Sequence, residues 1–381
     1  LMVIGTTSTF STENLLVKDP IILLAGSQSG TPTYDAGLLV NRGSSDTQAF
    51  IWDESETEFK FITTTSGATT SGNVSIGTYS SVRTGVLSVG TGSRVNSRFI
   101  VSSSGGTVSL VVDEFGNVYN NGNGGIATNT AFGASALSIN VGGYNNTAIG
   151  VNALLSNTSG SFNTAIGNNT LYSNTTGTSN TAIGISTLYS NTTGTSNTAI
   201  GHSSLYNNTT GNSNIAIGDG SLYNNTTGYT NTAIGVNTLL SNTTGNYNTA
   251  LGTSTLYNNT TGNENTAIGA NTLLFNTTGN DNTAIGYQSL YNNTIGFQNT
   301  ALGWASLQGN TTGNYNTALG PGSLGNNQTG SYNIGIGSQA GVYRVSFLGA
   351  TNSNNSIFIG SDTTSGATTS NATNEIVIGH S

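Results

Sequence analysis

The chain contains no cysteine. Neither a disulfide nor a thiolate metal site can form, and the residues carry no mark of a redox compartment. Charge is almost as scarce. Lys, Arg, Asp and Glu together make up 6% of 381 residues, and no Lys or Arg falls within residues 129–341. A nucleic-acid groove needs cations to neutralise phosphates, so no nucleic-acid partner is expected. The formal charge of −8 arises from having 7 bases against 15 acids. Low charge beside 34% hydrophobic content also excludes a disordered acidic tail. Long apolar runs are missing. The longest, residues 20–26, is far too short for a spanning helix, so no membrane insertion is expected. The opening Leu1-Met2-Val3-Ile4-Gly5 lacks a basic n-region and a cleavage pattern and does not read as a signal peptide, and with no Met at position 1 a processed or truncated piece is expected.

What the chain has instead is glycine, 53 residues of it, and a fixed period. Gly133, Gly150, Gly167, Gly184, Gly201, Gly218, Gly235, Gly252, Gly269, Gly286, Gly303, Gly320 and Gly337 follow one another at intervals of 17 residues. The unit reads N-T-A-I-G-x-x-S/T-L-Y-x-N-T-T-G-x-x. Such a period marks a stack of coils. A helical repeat is excluded, because glycine interrupts every segment before an amphipathic helix could form. Thr-Ala-Ile and Ser-Leu-Tyr read as short strands closed by Gly or Asn-Thr-Thr-Gly turns. The expectation is an all-β fold, a parallel β-solenoid or β-roll of 17-residue coils, each with two strands and two turns. Coils spaced about 4.8 Å apart would give a segment on the order of 60 Å long.

Strand alternation sets Thr and Ile on one face of Thr-Ala-Ile and Ala and Gly on the other. The larger side chains, Ile234 and Leu239 and their equivalents, are expected inside. The smooth Ala/Gly strip is expected to face another copy, most naturally in a homotrimeric rod, because so thin an interior stabilises a lone chain poorly. Asn180, Asn197 and their equivalents, with a second Asn seven residues past each glycine, are expected to stack as amide ladders. The glycine ten residues past each Gly133-type position is expected to take positive φ.

Outside the array the chain divides into a small β module at 1–64, an irregular β lead-in at 65–128, the regular solenoid at 129–341, and an irregular end at 342–381 that leads toward a further C-terminal domain. Trp52, Phe59 and Phe61 are expected to pack the first module. Steps such as Ile76-Gly77 are read as early solenoid coils, and Val111–Tyr119 as a hairpin turned on Phe115-Gly116-Asn117. Arg344 and its neighbours are expected to cap the array. Ile357-Phe358-Ile359-Gly360 and Ile376-Val377-Ile378-Gly379 are expected to continue it with looser turns. Residues 64–71 recur as 363–370, so the two ends are expected to be built alike.

Four features carry a resemblance. Asp35-Ala36-Gly37-Leu38-Leu39-Val40-Asn41-Arg42-Gly43, followed by Trp52-Asp53-Glu54-Ser55 and Phe59-Lys60-Phe61, resembles modules of structural proteins from contractile-tailed marine bacteriophages. Val111-Val112-Asp113-Glu114-Phe115-Gly116-Asn117-Val118-Tyr119, leading into Asn129-Thr130-Ala131-Phe132-Gly133, resembles the entry to the repeats of phage tail-fibre proteins that carry a C-terminal intramolecular chaperone. The closing Asn374-Glu375-Ile376-Val377-Ile378-Gly379 resembles the approach to that chaperone. The Ala-Ile-Gly step is also similar to the heads of trimeric autotransporter adhesins, whose repeat is shorter. The resemblance implies a virion fibre, an extended trimer that carries host-surface recognition, located on a phage tail. Its partners would be itself, other virion proteins and a host glycan. A bacterial surface adhesin or filament subunit is the alternative, and a polysaccharide depolymerase the third.

Candidate sites are few, and no catalytic, cofactor or metal site is expected. His202 and His380 are the only histidines, too few for a zinc set of about three or four ligands. The Asp-bearing glycine repeats of calcium rolls are missing as well. Glu264 and Asp281, 17 residues apart, would stack on adjacent coils like a pair of glycosidase carboxylates, at a turn position that otherwise varies freely. Tyr172, Tyr189, Tyr206 and Tyr223 are read as a packing ladder. The turn aromatics Tyr229, Tyr247, Phe297, Tyr315 and Tyr332 are the candidates for glycan contact.

Overall fold

The computed structural model describes residues 36–42, 45–53, 58–64, 76–79, 99–102, 108–112, 118–119, 128–342, 353–363 and 373–379. Two compact units divide the chain, at Leu1–Gly92 and Ser93–Ser381. In the first, β1 (Ala36–Arg42), β2 (Ser45–Asp53), β3 (Glu58–Thr64) and β4 (Ile76–Tyr79) form one antiparallel sheet in that order. The Ile76-Gly77 step, expected as a solenoid coil, therefore pairs antiparallel with β3, with Ile62 opposite Tyr79. The side chains of Trp52, Phe59 and Phe61 lie outside the described residues. In the second unit β5 (Phe99–Ser102), β6 (Val108–Val112) and β7 (Val118–Tyr119) form an antiparallel sheet. Val112 opposite Val118 gives the expected hairpin pairing.

From β8 (Thr130–Phe132) to β20 (Ile334–Ile336) each coil contributes one three-residue strand, and β21 (Ile357–Ile359) and β22 (Ile376–Ile378) extend the series. All 15 lie in a single parallel sheet in sequential order, with identical positions in register, Ala182 opposite Ala199 and Ile183 opposite Ile200. The chain is thus a parallel β-solenoid of 17-residue coils, and the looser coils past Gly341 continue it as the sequence implies. Arg344 lies outside the described residues.

One expected strand per coil is not formed. The Ser/Thr-Leu-Tyr segment is a turn, because Leu188 and the residue two before it, Ser186, take φ of 51° and 54°, in every coil alike for the leucine column. Left-handed backbone cannot extend. Each such residue costs on the order of 1–2 kcal/mol, and inter-coil hydrogen bonds hold it in place. The Leu188 N–H donates to the Ser204 carbonyl of the next coil at 3.0 Å.

The faces of the Thr-Ala-Ile strand are reversed from expectation. Ala182, Ala199 and Ala233 have no exposed surface, whereas Ile183, Ile200 and Ile234 are 36–37% exposed. Leu239 and its column are buried as expected. Interior volume decides the choice. From Gly167 to Gly320 each coil encloses one leucine, one Ser or Thr and two asparagines, and only alanine fits the strand position facing them. The Ala strip is therefore core and meets no other chain, and Ile234 stands in an outer ladder.

Both asparagine ladders form. Asn197 Nδ2 donates to Asn180 Oδ1 at 3.1 Å and to the Gly211 carbonyl at 2.8 Å. Asn208 donates to the same carbonyl at 3.0 Å and to Asn191 Oδ1 at 2.8 Å. Two amides thus brace every coil across its interior and tie it to its neighbour. Gly211 does not have positive φ, contrary to expectation. It is glycine for lack of space, since a Cβ there would overlap Asn208 Oδ1 and the Gly228 carbonyl. Positive φ falls instead on Gly184 and its column, at 137° for that residue. Replacing Asn197 by Ala leaves the Asn214 N–H, 3.0 Å from Asn197 Oδ1, without its acceptor. Each buried group so orphaned costs about 1–3 kcal/mol, to be read as a lowered thermal midpoint.

At the far end Gly341 occupies the leucine position of its coil, and Phe358, from the alanine column of the next, fills the gap with 1% of its surface exposed. The ladder of second asparagines stops there, and Asn327 Oδ1 is buried without a partner.

Candidate functional site

Because the interior is spent on coil-to-coil bonding, any site must lie on the outer columns. The turn aromatics gather into clusters according to one rule. An aromatic eleven past the glycine meets one at twelve past in the next coil edge to face. Tyr229 and Tyr247 meet at 5.2 Å and 81°, and Phe297 and Tyr315 at 5.2 Å and 75°. Tyr332 then stacks on Tyr315 at 4.7 Å and 7°. The five glycan candidates thus form a pair and a triple. Tyr144 and Phe162 make a further pair at 5.1 Å and 76°, which the spacing rule would have found. The Tyr247 phenol is held above its ordinary range, first by its side-chain hydrogen bond with Tyr229, then by unfavourable charge interaction with Tyr229, by slight desolvation and by Glu264.

The tyrosine ladder packs across coils. Tyr172, Tyr189, Tyr206 and Tyr223 stack at 4.9–5.1 Å with planes within 8°. Each ring face is covered by the next ring, so the ladder offers edges and hydroxyls, not faces, to a ligand.

Glu264 and Asp281 take the same exposed position in adjacent coils, with φ of 58° and 56°. Neither lines the groove described below. His202 has unexpected company. Its Nδ1 lies 3.2 Å from Asp219 Oδ1, and its Nε2 lies 3.4 Å from Ser203 Oγ. The order of groups is that of a nucleophile, base and acid. Ser203, however, is only 7% exposed, and its own N–H is committed to the Ile185 carbonyl at 2.9 Å. The nearly buried serine offers a substrate carbonyl little access, and this N–H is not available to an oxyanion. Among the described residues no group of three or more His, Cys, Asp or Glu could hold a metal ion, and no helix is long and apolar enough to cross a membrane.

One concave surface stands out. An open groove of about 760 Å³ runs between Ser241, Asn258, Phe275 and Asn292, six past their glycines, and the threonine column that includes Thr277 and Thr294. Phe275 rises from a column that between Ile139 and Asn326 is otherwise made of Ser, Asn, Ile and Gly. Its ring is 42% exposed and is braced by Tyr291 at 5.2 Å and 90°. Sequence reasoning passed it over, although the break in the column was visible.

The fold defines the class: a parallel β-solenoid repeat protein with an aromatic-studded, nearly uncharged surface. The chain matches no protein-family model, no curated protein and no solved structure.

Proposed function

We propose that the chain is a structural fibre protein of a bacteriophage virion, an extended homotrimer that carries host-surface recognition. The observation that carries this reading is the outer isoleucine stripe. Ile149, Ile166, Ile183, Ile200 and Ile234 are each 36–39% exposed and stacked in register. Val151, Ile185 and Val236, just past the neighbouring glycines, widen the stripe. Fourteen steps of about 4.8 Å and a width of about 10 Å give an apolar face on the order of 700 Å². That approaches the roughly 800 Å² per partner of a standard interface. His202 and Asp219 interrupt the flanking column. The third strand position nonetheless stays aliphatic or aromatic from Phe132 to Ile378, and an apolar ladder this tall is a hazard on a monomer that three copies about one axis would bury. The trimer contact thus moves from the Ala strip to the Ile stripe. The tyrosine clusters and the groove at Phe275 remain outward for recognition.

Native mass spectrometry tests the assembly. The chain is expected at three times its monomer mass, and Ile200→Lys with Ile234→Lys is expected to release monomers with unchanged β-type circular dichroism. A wild-type chain that runs as a monomer, or a double variant that stays trimeric, overturns the stripe as the contact. Adsorption of the wild-type fibre to host cells tests the recognition role.

A further inference from the structure

We infer that the groove at Phe275 binds a neutral, linear polysaccharide that lies along the coil stack with one sugar ring on the Phe275 face. The inference rests on the recognition-fibre reading and assigns its ligand class to a site away from the turn aromatics. Four observations converge. The first is the platform. Phe275 contributes nothing to the interior, yet an apolar ring stands fixed against Tyr291 in a wall of Ser, Asn and Thr. The axial C–H face of a pyranose is the apolar surface such a ring covers, and aromatics with a held geometry bind at low entropic cost.

The second observation is the polar lining. Thr260, Thr277 and Thr294 each donate their hydroxyl to the threonine carbonyl one coil on, at 3.0 Å. Their donors are committed, and their oxygen lone pairs are left to accept. Asn258 donates to the Leu274 carbonyl at 3.1 Å and keeps its Oδ1. A ligand rich in hydroxyl donors matches that set. Third, the acceptors repeat once per coil, about every 4.8 Å, on the scale of one sugar unit along a chain. Fourth, no ionisable group lines the groove. His202 and Asp219 lie one past their glycines and Glu264 and Asp281 twelve past, in other columns. A sulfated, phosphorylated or uronic-acid polymer would find no counter-charge here and would lose its hydration without return. The volume, about 760 Å³, lies within the usual range for small-ligand sites, roughly 300–1,000 Å³.

The test uses the full chain. Maltohexaose, cellohexaose, mannohexaose and chitohexaose serve as neutral probes, with an alginate hexasaccharide as the anionic control, in calorimetric titration. An array of neutral and acidic bacterial surface glycans extends the set. At least one neutral glycan is expected to bind, Phe275→Ala to weaken it about tenfold or more, and Phe275→Tyr to retain it. Ser190→Ala, in the same column as Phe275 but three coils before Ser241 and outside the groove, is expected to leave affinity unchanged. Because Phe275 is a surface residue, Phe275→Ala should keep the wild-type mass and melting point, and Phe275→Tyr guards against a folding effect. Binding of anionic glycans alone, no neutral glycan bound anywhere on the array, or full affinity in Phe275→Ala overturns the inference. A monomeric chain that still binds through Phe275 would sink the trimeric fibre and leave the groove standing. A trimer that adsorbs to cells with Phe275→Ala as well as wild type would do the reverse.

Discussion

Ala199→Arg is expected to break the solenoid in the middle of the stack. Ala199 has no exposed surface and sits in register between Ala182 and Ala216, facing the buried leucine column. The interior around it holds only Ala, Leu, Asn, Ser and Thr, so a guanidinium placed there meets no acid. The buried-charge penalty is several kcal/mol even after relaxation. In a stack where each coil contacts only its neighbours, the damage is local and divides the array in two. Hydrogen exchange is therefore expected to lose protection around residues 182–216 first, and the melting transition to drop and broaden. A variant that melts within about 0.5 kcal/mol of wild type, as an ordinary surface change would, would show that the alanine column is not interior.

Phe358→Ala is expected to unzip the far end. Its ring fills the place left where Gly341 stands in the leucine column, beside Leu324, and it is 1% exposed. Large-to-small changes of this kind cost about 3–5 kcal/mol, and in a stack where each coil contacts only its neighbours that loss falls on the terminal coils. Protection is expected to vanish from Ile357–Ile359 and Ile376–Ile378 while the coils around Leu239 keep theirs. Cooperative loss across the whole array, or none, would contradict the placement of Phe358 as an end plug. Phe358→Leu, which refills much of the volume, is expected to restore most of the protection.

Much of this architecture is dictated by the sequence alone. The interval of 17 residues fixes the coil, the register and the parallel pairing, because any other register would set Asn against Ala and leave buried amides unpaired. The two asparagine ladders and the leucine column follow from the same repetition. So does the grouping of Tyr229 with Tyr247 and of Phe297 with Tyr315, once coils are laid one on another.

Other features were settled only by the tertiary structure. Alternation says that Ala and Ile point opposite ways but not which way is in, and hydrophobicity ranking chooses wrongly because the limit is space. One leucine and two amides fill the coil, so Ala233 fits and Ile234 is turned out. Propensity likewise favours a strand for Ser-Leu-Tyr, yet closing a 17-residue coil with one strand requires left-handed backbone at Leu188. A closed ring of chain imposes that geometry, and no local window of sequence contains it. Phe275 needed both levels. The break in its column is written in the sequence, and the groove beside it exists only where Asn258, Asn292 and the threonines of adjacent coils come together in space.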